Sequence, residues 1–102
     1  MAREKVAVPQ ALHLTRLGQS APGQWVGLPG GELRVINLNG KVVGDSVTGW
    51  LICLSGEAVI DLPLSNFVRL RPGEGYRVTG DEPWTAFDTK EGSVLLLSVD
   101  GE

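Results

Sequence analysis

The chain has 102 residues, 42% of them hydrophobic and 21% charged, with a net charge of −3. This length fits one domain spanning residues 1–102, and the composition is that of a globular protein. An acidic balance argues against nucleic-acid binding, which usually needs a basic face. No apolar segment approaches the roughly 20 residues that cross a bilayer. The N-terminus lacks a secretory signal pattern, and the lone Cys53 allows no internal disulfide, so we expect a soluble cytoplasmic protein.

Apolar segments of four to seven residues alternate with glycine, proline, asparagine, aspartate and serine along the whole chain, and no segment shows a helical period. Asn39-Gly40 predicts a two-residue hairpin, because both residues tolerate a positive φ. The strands predicted in the first half are Val6–Val8, Leu12–Leu17, Gln24–Leu28, Leu33–Leu38 and Lys41–Val43.

The second half is punctuated more regularly. Val47–Leu54 is apolar on both faces and predicts a central strand. Turns are predicted at Ser55-Gly56, at Pro63–Asn66, and at Arg71–Glu74 with proline and glycine in type II positions. The remaining predicted strands are Glu57–Leu62, Phe67–Leu70, Tyr76–Thr79, Trp84–Asp88 and Ser93–Val99. About nine or ten short strands with turns every 8–12 residues indicate an all-β sandwich or barrel.

Two stretches resemble the cupin superfamily. They are Trp50-Leu-Ile-Cys-Leu-Ser-Gly-Glu57 and the segment from Arg71 to Asp88, which contains Gly-Asp-Glu-Pro-Trp84. The resemblance covers residues 42–99 well and the first forty residues only in general character. It implies a small single-domain jelly-roll barrel, the double-stranded β-helix.

The metal ligands of that family do not carry over. Anchored on Gly56, the glutamate of the first motif falls on Gly49, and its two histidines fall on Val43 and Asp45 or on Val42 and Gly44. Anchored on Gly73, the histidine of the second motif falls on Trp84 and its asparagine on Asp88. An indole nitrogen only donates, and a divalent metal needs three or four protein ligands. We therefore expect no metal site and no cofactor.

Trp84 then marks the position of the lost metal histidine and is expected to face the interior. Trp50, one residue beyond the lost glutamate, has a less certain direction. The two rings, with Tyr76 and Arg77 beside them, are candidates for the wall of a small-molecule pocket. Alternatively, the rings fill the space vacated by the metal site, Tyr76 belongs to the core, and Arg77 protects a sheet edge.

An enzyme would need an acid and a base inside one pocket, and Asp45, Tyr76 and Asp88 form the only such set in the sequence. Asp45 and Asp88 could face each other across a barrel mouth and raise one pKa. The alternative is that these carboxylates, like Asp81 and Glu82, are solvated turn residues.

Other reactive side chains have a structural interpretation that we prefer. His13, the only histidine, alternates with leucines on a predicted strand and is expected to face outward. Cys53 lies in an apolar segment, and we expect it to be buried like a small hydrophobic residue. Arg34, Arg69 and Arg71 are read as charges that protect strand edges.

The leading functional hypothesis is thus a metal-free, cupin-like barrel that binds a small organic ligand. The alternative is a metal-independent isomerase or lyase acting on a sugar or organic acid, and a third hypothesis is a structural subunit that binds another protein. We also expect a homodimer that pairs through edge strands, with Val94–Val99 and the N-terminal strand as candidates.

Overall fold

The computed structural model describes residues 11–44 and 46–100. Within these residues the chain forms one short helix and nine strands. They are α1 Leu14–Gln19, β1 Val26–Gly27, β2 Leu33–Asn37, β3 Val42–Val43, β4 Gly49–Ser55, β5 Ala58–Leu62, β6 Asn66–Leu70, β7 Gly75–Val78, β8 Thr85–Asp88 and β9 Val94–Val99. The predicted strand Val6–Val8 lies outside the described residues.

The strands form two antiparallel sheets, a five-stranded sheet in the order β1-β2-β9-β4-β7 and a four-stranded sheet in the order β3-β8-β5-β6. From β2 onward each connection crosses to the other sheet, except the β5–β6 hairpin. This alternation between two layers is the double-stranded β-helix, so the predicted all-β jelly-roll barrel is confirmed.

The core lies between the sheets and follows from the period-two alternation of each strand. In the five-stranded sheet, Leu51 pairs with Leu97 and with Tyr76 on the inner face. In the four-stranded sheet, Ile60 pairs with Ala86 and Val68. The inward side chains of both sheets join in one buried cluster that also includes Trp84.

The prediction of a strand at Leu12–Leu17 is wrong, because α1 occupies Leu14–Gln19. His13 is its N-cap, and the His13 side chain accepts a hydrogen bond from the Arg16 backbone N at 3.3 Å. Gly18 is buried against the five-stranded sheet, where a Cβ would lie 3.2 Å from Val94 Cγ1. Six residues are too few to display a helical period, and histidine is an uncommon N-cap, so sequence patterns missed this helix.

The predicted hairpin at Asn39-Gly40 is also wrong. β2 pairs with β9, whereas β3 pairs with β8 in the other sheet. Gly40 has a φ of +90°, but Asn39 is not among the residues with positive φ, and a type I′ hairpin needs both. The segment is therefore a crossover between sheets.

Two other predicted turns are confirmed. At Arg71–Glu74, Gly73 has a φ of +89° and the Glu74 N–H donates to the Arg71 carbonyl at 2.9 Å, which is the type II pattern. At Pro63–Asn66 the chain turns through Leu64 and Ser65, which have φ values of +63° and +61°.

The Val94–Val99 strand is not an edge. β9 is hydrogen-bonded to β2 on one side and to β4 on the other, so it cannot pair with a second molecule as we expected. β4 is internal, as predicted, between β9 and β7. No helix among the described residues is long and apolar enough to cross a membrane.

Candidate functional site

The two ends of the barrel are built differently. The tryptophan end, residues 43–44, 46–49 and 79–84, contains the β3–β4 and β7–β8 connections. The serine end, residues 55–57, 71–74 and 88–93, contains the β4–β5, β6–β7 and β8–β9 connections. The tryptophan end holds the positions at which the cupin resemblance would place metal ligands.

Trp84 faces the interior, as expected, and is 2% exposed. Its ring lies on Gly44, where a Cβ would approach Trp84 Cε2 to 2.0 Å. The Gly44 N–H donates to the Trp84 carbonyl at 2.8 Å. The segments that match the two cupin motifs therefore meet here, with an indole against a backbone that has no side chain.

The indole N–H of Trp84 is buried and has no hydrogen-bond partner among the described residues. A buried, unpaired donor costs about 1–3 kcal/mol, and a phenylalanine ring would fill space without that cost. The donor is therefore the feature of this end that packing alone does not explain.

Tyr76 lies on the inner face of β7 and packs against the buried cluster. Its hydroxyl donates to Glu82 Oε1 at 3.2 Å, and burial together with this carboxylate raises the pKa of Tyr76. The loop that carries Glu82 is tied to the residue before β4, since the Gly80 N–H donates to Thr48 Oγ1 at 3.0 Å. Tyr76 and Glu82 thus form a fixed polar pair at the tryptophan end.

Trp50 and Arg77 point the other way. They are paired residues of β4 and β7 on the outer face of the five-stranded sheet, and the Arg77 guanidinium lies 5.8 Å from the Trp50 ring centroid. Arg77 also binds Asp100 through two hydrogen bonds, which lowers the pKa of Asp100. The four predicted ligand-binding residues are therefore divided by the sheet, with Trp84 and Tyr76 inside and Trp50 and Arg77 outside.

Strand alternation accounts for this division. Gly49, the position of the lost glutamate, is buried, and the next residue must face outward. In the same way, consecutive residues Tyr76 and Arg77 lie on opposite faces. The period of two, applied to the motif residues, would have predicted this division from the sequence.

The three predicted catalytic residues are not gathered by the described structure. Tyr76 is bonded to Glu82 at the tryptophan end. Asp88 ends β8 at the serine end, where its Oδ1 accepts from the Gly40 N–H at 3.4 Å. Asp45 lies outside the described residues.

The serine end is organised by Ser93, which the sequence did not single out. Ser93 is fully buried, accepts from the Glu57 N–H at 2.9 Å, and its hydroxyl lies 2.6 Å from the Lys90 carbonyl. A Cβ on Gly56 would approach Ser93 Oγ to 2.2 Å. These contacts close this end with paired polar groups.

The Glu57 carboxylate reinforces that closure. Thr89 Oγ1 donates to Glu57 Oε1 at 2.6 Å, and Arg71 Nε lies 3.5 Å from Glu57 Oε2. The Thr89 hydrogen bond and, more weakly, the nearby cations including Arg69 lower the pKa of Glu57. Arg69 and Arg71 therefore serve an ion-pair network at this end.

The described residues do not fit a metal site. They contain no group of three His, Cys, Asp or Glu side chains that could hold an ion. Val42, Val43 and Gly49 offer no ligand atoms at the cupin positions, and Trp84 offers only a donor. Cys53 is buried and its Sγ donates to the Ser55 carbonyl, and burial raises its pKa. His13 is exposed and caps α1.

Several solved structures have a fold similar to that of this chain. A Neisseria meningitidis protein is similar over 89% of this chain and 100% of its own, with a TM-score of 0.70 and 13% identity. A cupin-2 domain protein from Shewanella frigidimarina matches over 67% of this chain and 69% of its own, with a TM-score of 0.55 and 14% identity. The fold is cupin-like.

A third solved structure has a similar fold. It is a hydroquinone 1,2-dioxygenase in complex with Cd²⁺ and 4-hydroxybenzonitrile, similar over 98% of this chain and 83% of its own, with a TM-score of 0.63 and 14% identity. Such identities show the fold alone. The sequence matches no protein-family model and no curated protein.

Proposed function

We propose that this cupin-like protein binds a small organic molecule at the tryptophan end, with the indole N–H of Trp84 as the hydrogen-bond donor to the ligand. The observation that carries the proposal is the burial of this N–H without a partner among the described residues. Barrel interiors and mouths are common ligand sites, mostly apolar with a few placed polar groups. Trp84, Tyr76 and Glu82 supply that combination.

The chemistry of this end favours a neutral ligand over an anion. Asp81 and Glu82 lie on the loop that leads into Trp84, while Arg77 lies on the outer face of the sheet and is engaged by Asp100. Carboxylates repel an anionic head group. A neutral molecule with a carbonyl or hydroxyl oxygen would accept from Trp84, and its own hydroxyl could donate to Glu82.

The binding that we propose uses no metal, because the cupin ligand positions supply at most one carboxylate, Asp45, and otherwise carry valine, glycine and Trp84. The lone Cys53 also suits a reducing compartment, and we place this function in the cytoplasm.

The experiment is a thermal-shift screen with neutral polyols, amides and phenols beside matched organic acids, followed by calorimetry on each compound that responds. A ligand at 100 times its Kd stabilises the folded state by about 2.7 kcal/mol, which is readily seen as a rise in Tm. We expect a neutral compound to raise the Tm and to change tryptophan fluorescence.

Two matched variants assign the site. Trp84→Phe keeps an aromatic ring but removes the donor, and should abolish the response to the ligand. Trp50→Phe makes the same change on the outer face and should leave the response intact. A screen without any response, or a response that survives Trp84→Phe, would show that Trp84 is a packing residue only.

A further inference from the structure

The crossover between β2 and β3 carries Asn39-Gly40, the pair that does not form the predicted hairpin. Residues 38–41 connect the two sheets and contain no helix or strand. Asn39 and Gly40 are both exposed. Leu38, the residue before them, is buried, and its N–H donates to the Ser93 carbonyl at 2.8 Å. The pair therefore lies on a surface loop that begins at a fixed point in the core.

The backbone nitrogen of Gly40 is open to its neighbour in the chain. Gly40 has a φ of +90°, and apart from its chain neighbours no heavy atom lies within 4 Å of the position that a Cβ would take. Glycine has no side chain and adopts many backbone conformations. The carboxamide of Asn39 can therefore approach the Gly40 nitrogen, and asparagine is among the chemically labile residues of proteins.

A carboxylate lies beside this nitrogen. Asp88 ends β8, and its Oδ1 accepts from the Gly40 N–H at 3.4 Å. A backbone nitrogen that attacks a carbonyl carbon must lose its proton, and a carboxylate within reach can accept that proton. The sequence marked Asp88 as a candidate catalytic carboxylate, and in the structure its contact is this nitrogen and not Tyr76.

We propose that Asn39 is a site of spontaneous deamidation in which Asp88 is the general base. The Gly40 nitrogen attacks Cγ of Asn39 while its proton passes to the Asp88 carboxylate. The bond from Cγ to the side-chain nitrogen then breaks, and ammonia leaves with the proton that Asp88 held. Water opens the resulting cyclic succinimide at either carbonyl and leaves aspartate or isoaspartate. The sum is one water consumed and one ammonia released, and nothing is oxidised or reduced.

The other two asparagines of the chain lack this setting. Asn37 belongs to β2, which is hydrogen-bonded to β9, and Leu38 follows it. Asn66 begins β6, which is hydrogen-bonded to β5, and Phe67 follows it. Ladder hydrogen bonds hold the backbone in an extended conformation, and a large following side chain crowds the attacking nitrogen. Asn37 and Asn66 are therefore internal controls for the reaction at Asn39.

The product changes the crossover in two ways. It adds a negative charge to a chain whose net charge is −3, in the loop that contacts Asp88. Like charges repel, so the contact between Gly40 and Asp88 is weakened. Isoaspartate also carries the main chain through the former side chain, which lengthens the connection between the two sheets. The reaction thus loosens a link between the sheets, slowly and in one direction.

The test is peptide mapping by tandem mass spectrometry of the purified protein during storage in neutral buffer. The conversion of amide to acid should accumulate at Asn39, with both aspartate and isoaspartate products, before it is detected at Asn37 or Asn66. Asp88→Asn retains an oxygen that accepts from the Gly40 N–H but removes the base, and should slow the reaction at least about tenfold.

Asp61→Asn is the matched control, because it removes the same charge from an exposed position on β5 and should leave the rate at Asn39 unchanged. Gly40→Ala should slow the reaction as well, since its Cβ crowds the nitrogen. Circular-dichroism spectra would show that the compared variants are folded. Deamidation at Asn39 no faster than at Asn37 and Asn66, or an equal rate in folded Asp88→Asn and the wild type, would overturn the proposal.

Discussion

At each end of the barrel a glycine lies beneath a side chain that occupies the space of its missing Cβ. At the tryptophan end the pair is Gly44 and Trp84, and at the serine end it is Gly56 and Ser93. Both closing side chains are buried, at 2% and 0% exposure. At both ends, therefore, a buried side chain packs directly on a glycine, but the two side chains differ in their hydrogen bonding.

The difference lies in the polar atoms. Ser93 both accepts and donates hydrogen bonds to the backbone around it, so its burial is fully compensated. Trp84 brings a donor into the core that finds no acceptor among the described residues. This contrast concerns the two closing side chains only, since Asn37 Oδ1, opposite Val94 on β2, is also buried without a partner among the described residues.

The largest expected effect comes from a methyl group on either glycine. Gly44→Ala would drive a Cβ to 2.0 Å from a rigid, buried ring, and should lower the free energy of unfolding by about 3 kcal/mol or more. Combining it with Trp84→Leu should recover part of the loss, because the clash is with a side chain alone. Urea denaturation would measure both.

Gly56→Ala should be as costly but not recoverable. Gly56 has a φ of +74°, and its Cβ would lie 2.7 Å from Ser93 Cα as well as close to Ser93 Oγ. Removing the hydroxyl with Ser93→Ala leaves the backbone contact in place. Rescue of Gly56→Ala by Ser93→Ala would contradict this account of the serine end.

A smaller loss is expected for Ser93→Ala alone. The change leaves the Glu57 N–H without its acceptor in a partly buried setting, which should cost about 1–2 kcal/mol. Ser55→Ala is a suitable control, since the half-buried Ser55 hydroxyl makes a single bond to the Gly92 carbonyl. Equal losses in the two variants would argue against a special role for Ser93.

Trp84→Phe should change stability by less than about 1 kcal/mol without ligand, because loss of an unpaired donor offsets loss of ring volume. Chemical denaturation of the unliganded protein measures this. A loss of about 3 kcal/mol would mean that the indole is held by interactions that the described residues do not show, and the contrast between the ends would disappear.

The smallest effects are expected from pH, and they separate the ends. The pKa of Glu57 is lowered, so its contribution to stability is complete above the ordinary value of 4.5 and is lost as the pH falls below it. The pKa of Tyr76 is raised, so its contribution is complete below the ordinary value of 10.0 and is lost as the pH rises. Thr89→Val should flatten the acid limb of the stability curve, and Tyr76→Phe the alkaline limb.

Unfolding free energies measured across pH in these two variants and the wild type would test the assignment. An acid limb that depends on Tyr76, or an alkaline limb that depends on Thr89, would contradict it.

Local patterns predicted much of the fold. The alternation of β4 and the turn at Arg71–Glu74 were recognisable because they depend on neighbouring residues. The Asn39-Gly40 hairpin failed because the strand that pairs with β2 lies about sixty residues further on. Likewise, Trp84 was placed inside by the cupin resemblance, whereas Ser93 had no motif and was found only through its contacts.

The sequence by itself determined that this protein is a small all-β barrel, because side-chain period and turn chemistry act over a few residues. The tertiary structure decided that Trp50 and Arg77 lie outside while Trp84 and Tyr76 lie inside, that β9 is internal, and that Asn39-Gly40 lies in a crossover between the sheets. Those outcomes depend on hydrogen bonds between strands distant in the chain, which no local pattern specifies.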